Sequence, residues 1–219
     1  MKSRRLSSLL AWAFGSAALL CVGAAHAAEP TRADDAQPPV RRVHAPLPGS
    51  DGVYGRFDGT LALAASAGAE LEAGEARGAL KLSAHYLWTA GAYARYSDAF
   101  GGEEQRPARV ASLGVDVRPL FLPRFALDYE HGPAWLDLAL DSFSLSAGAY
   151  FASPQPGDFG DVRGFETGLG FGVPLCGEAR GLWLDARAER RFADHGPNAW
   201  LFTLSVAYHA LAWSTDTQR

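Results

Sequence analysis

The feature that most constrains this chain is a period-2 alternation of apolar and polar residues, repeated eight times between Val53 and Trp213. Alternation at that period gives a strand one apolar and one polar face, so it predicts β-strands rather than helices. Gly, Pro, Asp and Asn punctuate the repeats at turn positions. Strands are expected at about 57–71, 76–88, 90–98, 109–118, 142–152, 164–175, 180–192 and 199–210. In the first, Leu61, Leu63, Ala65, Ala67 and Leu71 oppose Ala62, Ala64, Ser66, Gly68 and Glu70. In the last, Trp200, Phe202, Leu204, Val206 and Tyr208 oppose Thr203, Ser205, Ala207 and His209. Eight is an even count, and most segments have the roughly 9–11 residues that cross a bilayer at a tilt. The mean hydropathy of −0.06 is neutral on this point, because alternating strands average their two faces.

The N-terminal region has a different character. Lys2, Arg4 and Arg5 precede an apolar run from Leu6 to Gly23, and Ala25-His26-Ala27 is a small-x-small cleavage site. Residues 1–27 therefore read as a secretory signal peptide, in preference to a membrane anchor or a lipoprotein signal at Cys21. Residues 28–52, rich in Pro, Arg, Asp and Ala, read as a flexible periplasmic leader. The barrel is expected over 53–213, with a tail at 214–219. Removing residues 1–27 leaves 17 Lys and Arg against 24 Asp and Glu, a net charge of −7, which argues against a nucleic-acid partner. Cys176 is then the one cysteine of the mature chain and reads as a bystander in a turn.

Alternation alone fits two barrels: a soluble one with its apolar face inward, and a membrane one with that face toward lipid. Three features favour the second. The polar face is crowded with small residues, among them Gly114, Gly148, Gly168, Gly170, Gly172, Ser144, Ser146 and Ser205. Glycine weakens a strand, so its use there points to a narrow interior that must fit large neighbours such as Tyr93, Tyr150 and Trp183. The charges of that face nearly cancel: Arg77, Lys81, Arg95, Arg118, Arg187 and Arg191 against Glu70, Asp116, Glu166, Asp185 and Glu189. Buried charges need partners, so this set is expected to form an interior ion-pair network. Aromatic residues cluster near the ends of the apolar faces, as Tyr86 and Trp88, Phe143 and Phe151, Phe165, Trp200 and Tyr208. Interfacial girdles have this layout.

From Val53 to Trp213 the chain resembles the small eight-stranded outer-membrane barrels of the OmpA/OmpX type. Trp200-x-Phe202-x-Leu204-x-Val206-x-Tyr208 is similar to the terminal strand that barrel-assembly machinery reads. The residues that follow, His209 to Arg219, depart from that pattern. Arg118-Pro119-Leu120-Phe121-Leu122-Pro123-Arg124 also resembles a segment of uncharacterised myxobacterial outer-membrane barrels. The resemblance implies an all-β, eight-stranded antiparallel up-and-down transmembrane barrel in a Gram-negative envelope. It implies outer-membrane lipid, lipopolysaccharide and the assembly machinery as partners, and a monomer.

With both chain ends periplasmic, residues 72–75, 100–107, 153–163 and 193–198 become outer loops. Residues 119–141 are then a long periplasmic connection. Pro133 opens a short helix through Leu140, expected to lie in the interface; two extra strands, making ten, and a plug are the alternatives. His85 and His209 point inward without metal-ligand spacing, so no metal and no cofactor is expected. A Ser-His-acid site built from His209, Ser205 or Ser83 and Glu166 is the enzymatic alternative; no catalytic residue is assigned. The leading expectation is a closed barrel with a structural or surface-interaction role. A narrow pore, a lipid-modifying enzyme and a soluble ligand-binding barrel are the alternatives.

Overall fold

The computed structural model describes Arg56 and residues 60–99, 109–127, 129, 132–153, 158 and 160–212. The expected signal peptide, leader and C-terminal tail lie outside the described residues. Eight strands run in chain order: β1 (Leu61–Glu72), β2 (Glu75–Tyr86), β3 (Ala90–Asp98), β4 (Arg109–Val117), β5 (Ser144–Ser153), β6 (Val162–Pro174), β7 (Gly181–Ala193) and β8 (Ala199–Ala212). Each pairs antiparallel with its sequence neighbour, and β8 returns to β1, so the sheet closes into an up-and-down barrel. The ten-strand alternative is not adopted. The connection between β4 and β5 forms two short helices instead, α1 (Phe121–Ala126) and α2 (Ala134–Asp141). Pro133 stands at the N-cap of α2, where its missing N–H costs nothing.

Parity fixes which side chains go in. Leu61 pairs with both Tyr86 and Ala212, and Glu70 with both Arg77 and Thr203. The apolar set points out of the barrel: Leu82 is 64% exposed and Tyr208 59%. The polar set points inward, with Glu70, Arg77, Arg95, Asp116, Glu166, Glu189 and Arg191 all buried. This is the inverse of a soluble barrel, in which the apolar face would be enclosed.

Small residues inside make that filling possible. A side chain at Gly114 or Gly148 would collide with the Tyr93 ring, at 2.7 Å from Cε1 and from the hydroxyl respectively. One at Gly168 would meet the Glu189 stem at 2.4 Å. An eight-stranded barrel has just enough room for its own side chains, so each large inward residue needs a gap opposite.

The two ends differ. One carries the β1–β2, β3–β4, β5–β6 and β7–β8 connections; we call it the loop end. The other carries α1, α2, the β2–β3 turn and the β6–β7 turn; we call it the helix end. At the helix end the expected placement of Trp88 on the outer face is corrected: Trp88 is only 1% exposed and sits inside. Leu87 (φ 45°) and Trp88 (φ 62°) are both left-handed, closing the tight turn from Tyr86 to Thr89. That turn ends the strand alternation two residues earlier than the pattern suggests and swings the indole inward.

Candidate functional site

The charged interior is layered. Nearest the loop end, Arg95 from β3 reaches three strands at once. It donates to Glu166 Oε2 on β6 at 2.6 Å and to Glu189 on β7, and its Nε lies 3.7 Å from Glu70 Oε2 on β1. Arg191 on β7 approaches Glu166 Oε2 at 3.1 Å, Glu70 Oε1 at 3.3 Å and Glu72 Oε2 at 3.0 Å. Arg77 donates to Glu70 Oε1 at 2.8 Å and to Glu72. Neutral donors satisfy remaining lone pairs: Tyr93 donates to Glu166 at 3.0 Å, Ser97 to Glu70 at 3.1 Å and Ser146 to Glu189 at 3.2 Å. Buried ions tolerate desolvation only when oppositely charged and hydrogen-bonded in this way.

A second layer centres on Asp116 of β4. Arg187 of β7 donates to it, His85 Nε2 lies 3.3 Å from Oδ1, and Lys81 Nζ lies 3.6 Å from Oδ2. The Lys81 ammonium also stands 5.0 Å from the centre of the Tyr93 ring. Asp185 and Arg118, grouped with this network on sequence grounds, face the same interior but form no ion pair among the described residues. Arg118 instead lies over the Trp88 ring at 4.2 Å, and Asp185 borders the interior voids. Those two voids hold about 10 and 20 Å³, room for roughly one water molecule each.

Below the charges comes an apolar floor. Trp88, Trp183, Phe121, Leu138, Ala62, Ala179 and Ala207 form one buried cluster. Phe121 comes from α1 and Leu138 from α2, so the helical connection closes the helix end. His209 stacks on Trp183, with ring centres 4.7 Å apart and 15° between planes. Its Nε2 has no hydrogen-bond partner, so the Ser205–His209–Glu166 arrangement is not assembled. The helices are tied in by charge. Arg124 donates to Asp137 and to Asp141 at 2.8 Å, and Arg56 donates to Asp141. Burial works against the Arg124 charge, but Asp141 and Asp137 outweigh it and hold the guanidinium above its ordinary value. The Ser142 hydroxyl accepts from the Gly172 N–H at 2.8 Å and fixes the end of α2 to β6.

Sequence reasoning passed over three members of this architecture. Glu72, expected in an outer loop, continues the parity of Glu70 and bonds both Arg77 and Arg191. It stands two residues on from Glu70 and one past the expected strand end, so extending the alternation by one residue finds it. Arg56 and Asp141 lie 85 positions apart, and no local pattern pairs them. Among the described residues, no group of three or more His, Cys, Asp or Glu side chains is placed to hold a metal ion.

The fold is a closed eight-stranded barrel. No protein-family model matches the sequence, and no curated protein is similar to it. Solved structures with a similar outline include the N-terminal β-barrel domain of Pseudomonas aeruginosa OprF. It is 10% identical, covers 69% of this chain and 99% of its own, and gives a TM-score of 0.47. Ail, the attachment invasion locus protein of Yersinia pestis, is 13% identical, with 68% and 96% covered. Its TM-score is 0.33, and 0.32 when in complex with the heparin analogue sucrose octasulfate.

Proposed function

We propose that this protein is an outer-membrane barrel that acts as a sealed structural or surface-interaction element rather than as a conduit. The observation that carries the reading is the inverted distribution of polarity. Charge is packed inside against charge, and Leu, Val, Phe and Tyr side chains cover the outside. Only a surrounding hydrocarbon phase makes that arrangement favourable, because each apolar side chain left in water forfeits about 1.5–3 kcal/mol of burial. The helix end, where β1 begins and β8 ends, is placed at the periplasm because both ends of the chain are expected on that side. There α1 and α2 present Leu122, Phe125, Trp135 and Leu136 outward while Phe121 and Leu138 point in. That two-sided character fits a segment that both seals the barrel and rests in the interface.

Sealing follows from the same geometry. A passing ion would have to displace the Arg95–Glu166–Glu189 contacts, then the Asp116 layer, then the Trp88–Trp183 floor. Cell fractionation, together with heat-modifiable gel mobility of the folded barrel, tests the placement. Recovery as a folded, detergent-free soluble protein would defeat it. Planar-bilayer recording tests the sealing: wild-type protein is expected to be silent, and steady unitary conductance lost on Arg187→Ala would instead establish the narrow-pore reading.

A further inference from the structure

The lipid-facing surface of the strands is almost free of charge, and its exceptions are unevenly satisfied. Among the described residues, three arginines project from the outward faces of strands: Arg109 in β4, Arg163 in β6 and Arg190 in β7. All three lie toward the loop end. Arg109 has Asp98 at 3.6 Å and Arg163 has Asp194 at 3.4 Å, both at the rim. Arg190 sits deeper, three residues below the end of β7, and pairs in register with Thr167 and Trp200. Its inward neighbours Glu189 and Arg191 point into the barrel, so neither can neutralise it. Its guanidinium lies 5.3 Å from the centre of the Trp200 ring, and no carboxylate is within ion-pair reach of it among the described residues. Around it, Phe165 stacks with Phe192 and Trp200 with Phe202.

We propose that Arg190 and Trp200 form a binding site for the phosphate of an anionic lipid in the leaflet at the loop end. The inference rests on the membrane reading above and names a partner for it. A guanidinium on a hydrocarbon-facing surface requires a counter-charge, and none of the described residues supplies one here. Its flexible stem allows the head to snorkel toward the rim, where lipid phosphates lie. Its planar fork matches two phosphate oxygens at once, which a point charge does not. The Trp200 indole holds the fork from one side by a cation–π contact and is itself suited to the headgroup level.

The test uses the protein folded in zwitterionic detergent micelles, titrated with lipid A or its dephosphorylated form and read by native mass spectrometry. Wild-type protein is expected to bind the phosphorylated form about tenfold more tightly. Arg190→Gln is expected to abolish that preference, and Arg190→Lys to retain part of it. Equal binding of the two lipids by wild-type protein overturns the proposal without recourse to any variant. A preference unchanged in Arg190→Gln overturns it too. Displacement of the lipid by equimolar inorganic phosphate would overturn the assignment to lipid. A heat-modifiable, micelle-folded barrel lacking the preference removes this site and leaves the membrane reading standing. Folded protein that is soluble without detergent removes the membrane reading itself.

Discussion

Arg95 touches carboxylates from β1, β6 and β7, so one side chain ties together strands far apart around the barrel. Removing it takes a cation from three buried acids at once; Arg77 and Arg191 still reach Glu70 and Arg191 still reaches Glu166, whereas Glu189 keeps only Arg187, at 3.7 Å, as a cation among the described residues. Arg95→Met is expected to lower unfolding stability in micelles by about 3–5 kcal/mol, measured by urea titration. Asp116→Asn should also destabilise the barrel, because Arg187 and His85 approach different carboxylate oxygens and an amide can accept from one of them only. Local backbone strain gives a prediction of opposite sign. Leu87 is held at φ 45°, which costs an ordinary L-residue about 1–2 kcal/mol. Leu87→Gly is expected to recover part of that cost, raising the urea midpoint without changing the slope. A lowered midpoint would show that the Leu87 side chain contributes more than its backbone loses.

At the scale of elements, the inward glycines of β4, β5 and β6 are spacing devices. Gly114 and Gly148 pair directly across β4 and β5 and leave the gap into which Tyr93 projects. Gly148→Val is expected to block that packing and to yield protein whose gel mobility no longer changes with heating; a normal heat shift would refute the assignment. The helical connection is a floor for the barrel as well as a link. Leu138 is fully buried against the tryptophan cluster, so Leu138→Ala should cost about 2–5 kcal/mol. The same substitution should leave bilayer conductance at the silent wild-type level, because the charge layers above remain closed. The β-strands themselves were legible in the sequence, since period-2 alternation is a local property and the boundaries agree to within a few residues. The two helices were half legible. Pro133 marked the start of α2, whereas α1 is a six-residue turn with Pro123 inside it and owes its form to Phe121 anchoring in the floor.

For the whole molecule, the distribution of polarity sets how it responds to added charge. An arginine at Leu82, on the outer face in the middle of β2, should destabilise the reconstituted barrel by about 2–4 kcal/mol. In a soluble barrel the same outward position would accept the charge with little cost, so the unfolding free energy of Leu82→Arg in lipid separates the two environments directly.

The sequence by itself marked eight alternating strands, leaving a ten-strand barrel open, and it marked the antiparallel order, the inward polar set and the smallness of the residues that face it. Each of these follows from alternation and residue size along a single strand, with neighbours two positions apart. Partnership was decided by the tertiary structure. Which acid meets Arg95, that Glu72 joins Arg77 and Arg191, that Asp185 and Arg118 stand outside the ion pairs of the described residues, and that Arg56 reaches Asp141 all depend on closure of the barrel. Closure brings residues from every part of the chain to one axis. The position of Trp88 was likewise settled there, because a two-residue left-handed turn reverses the parity that the strand alone would have dictated.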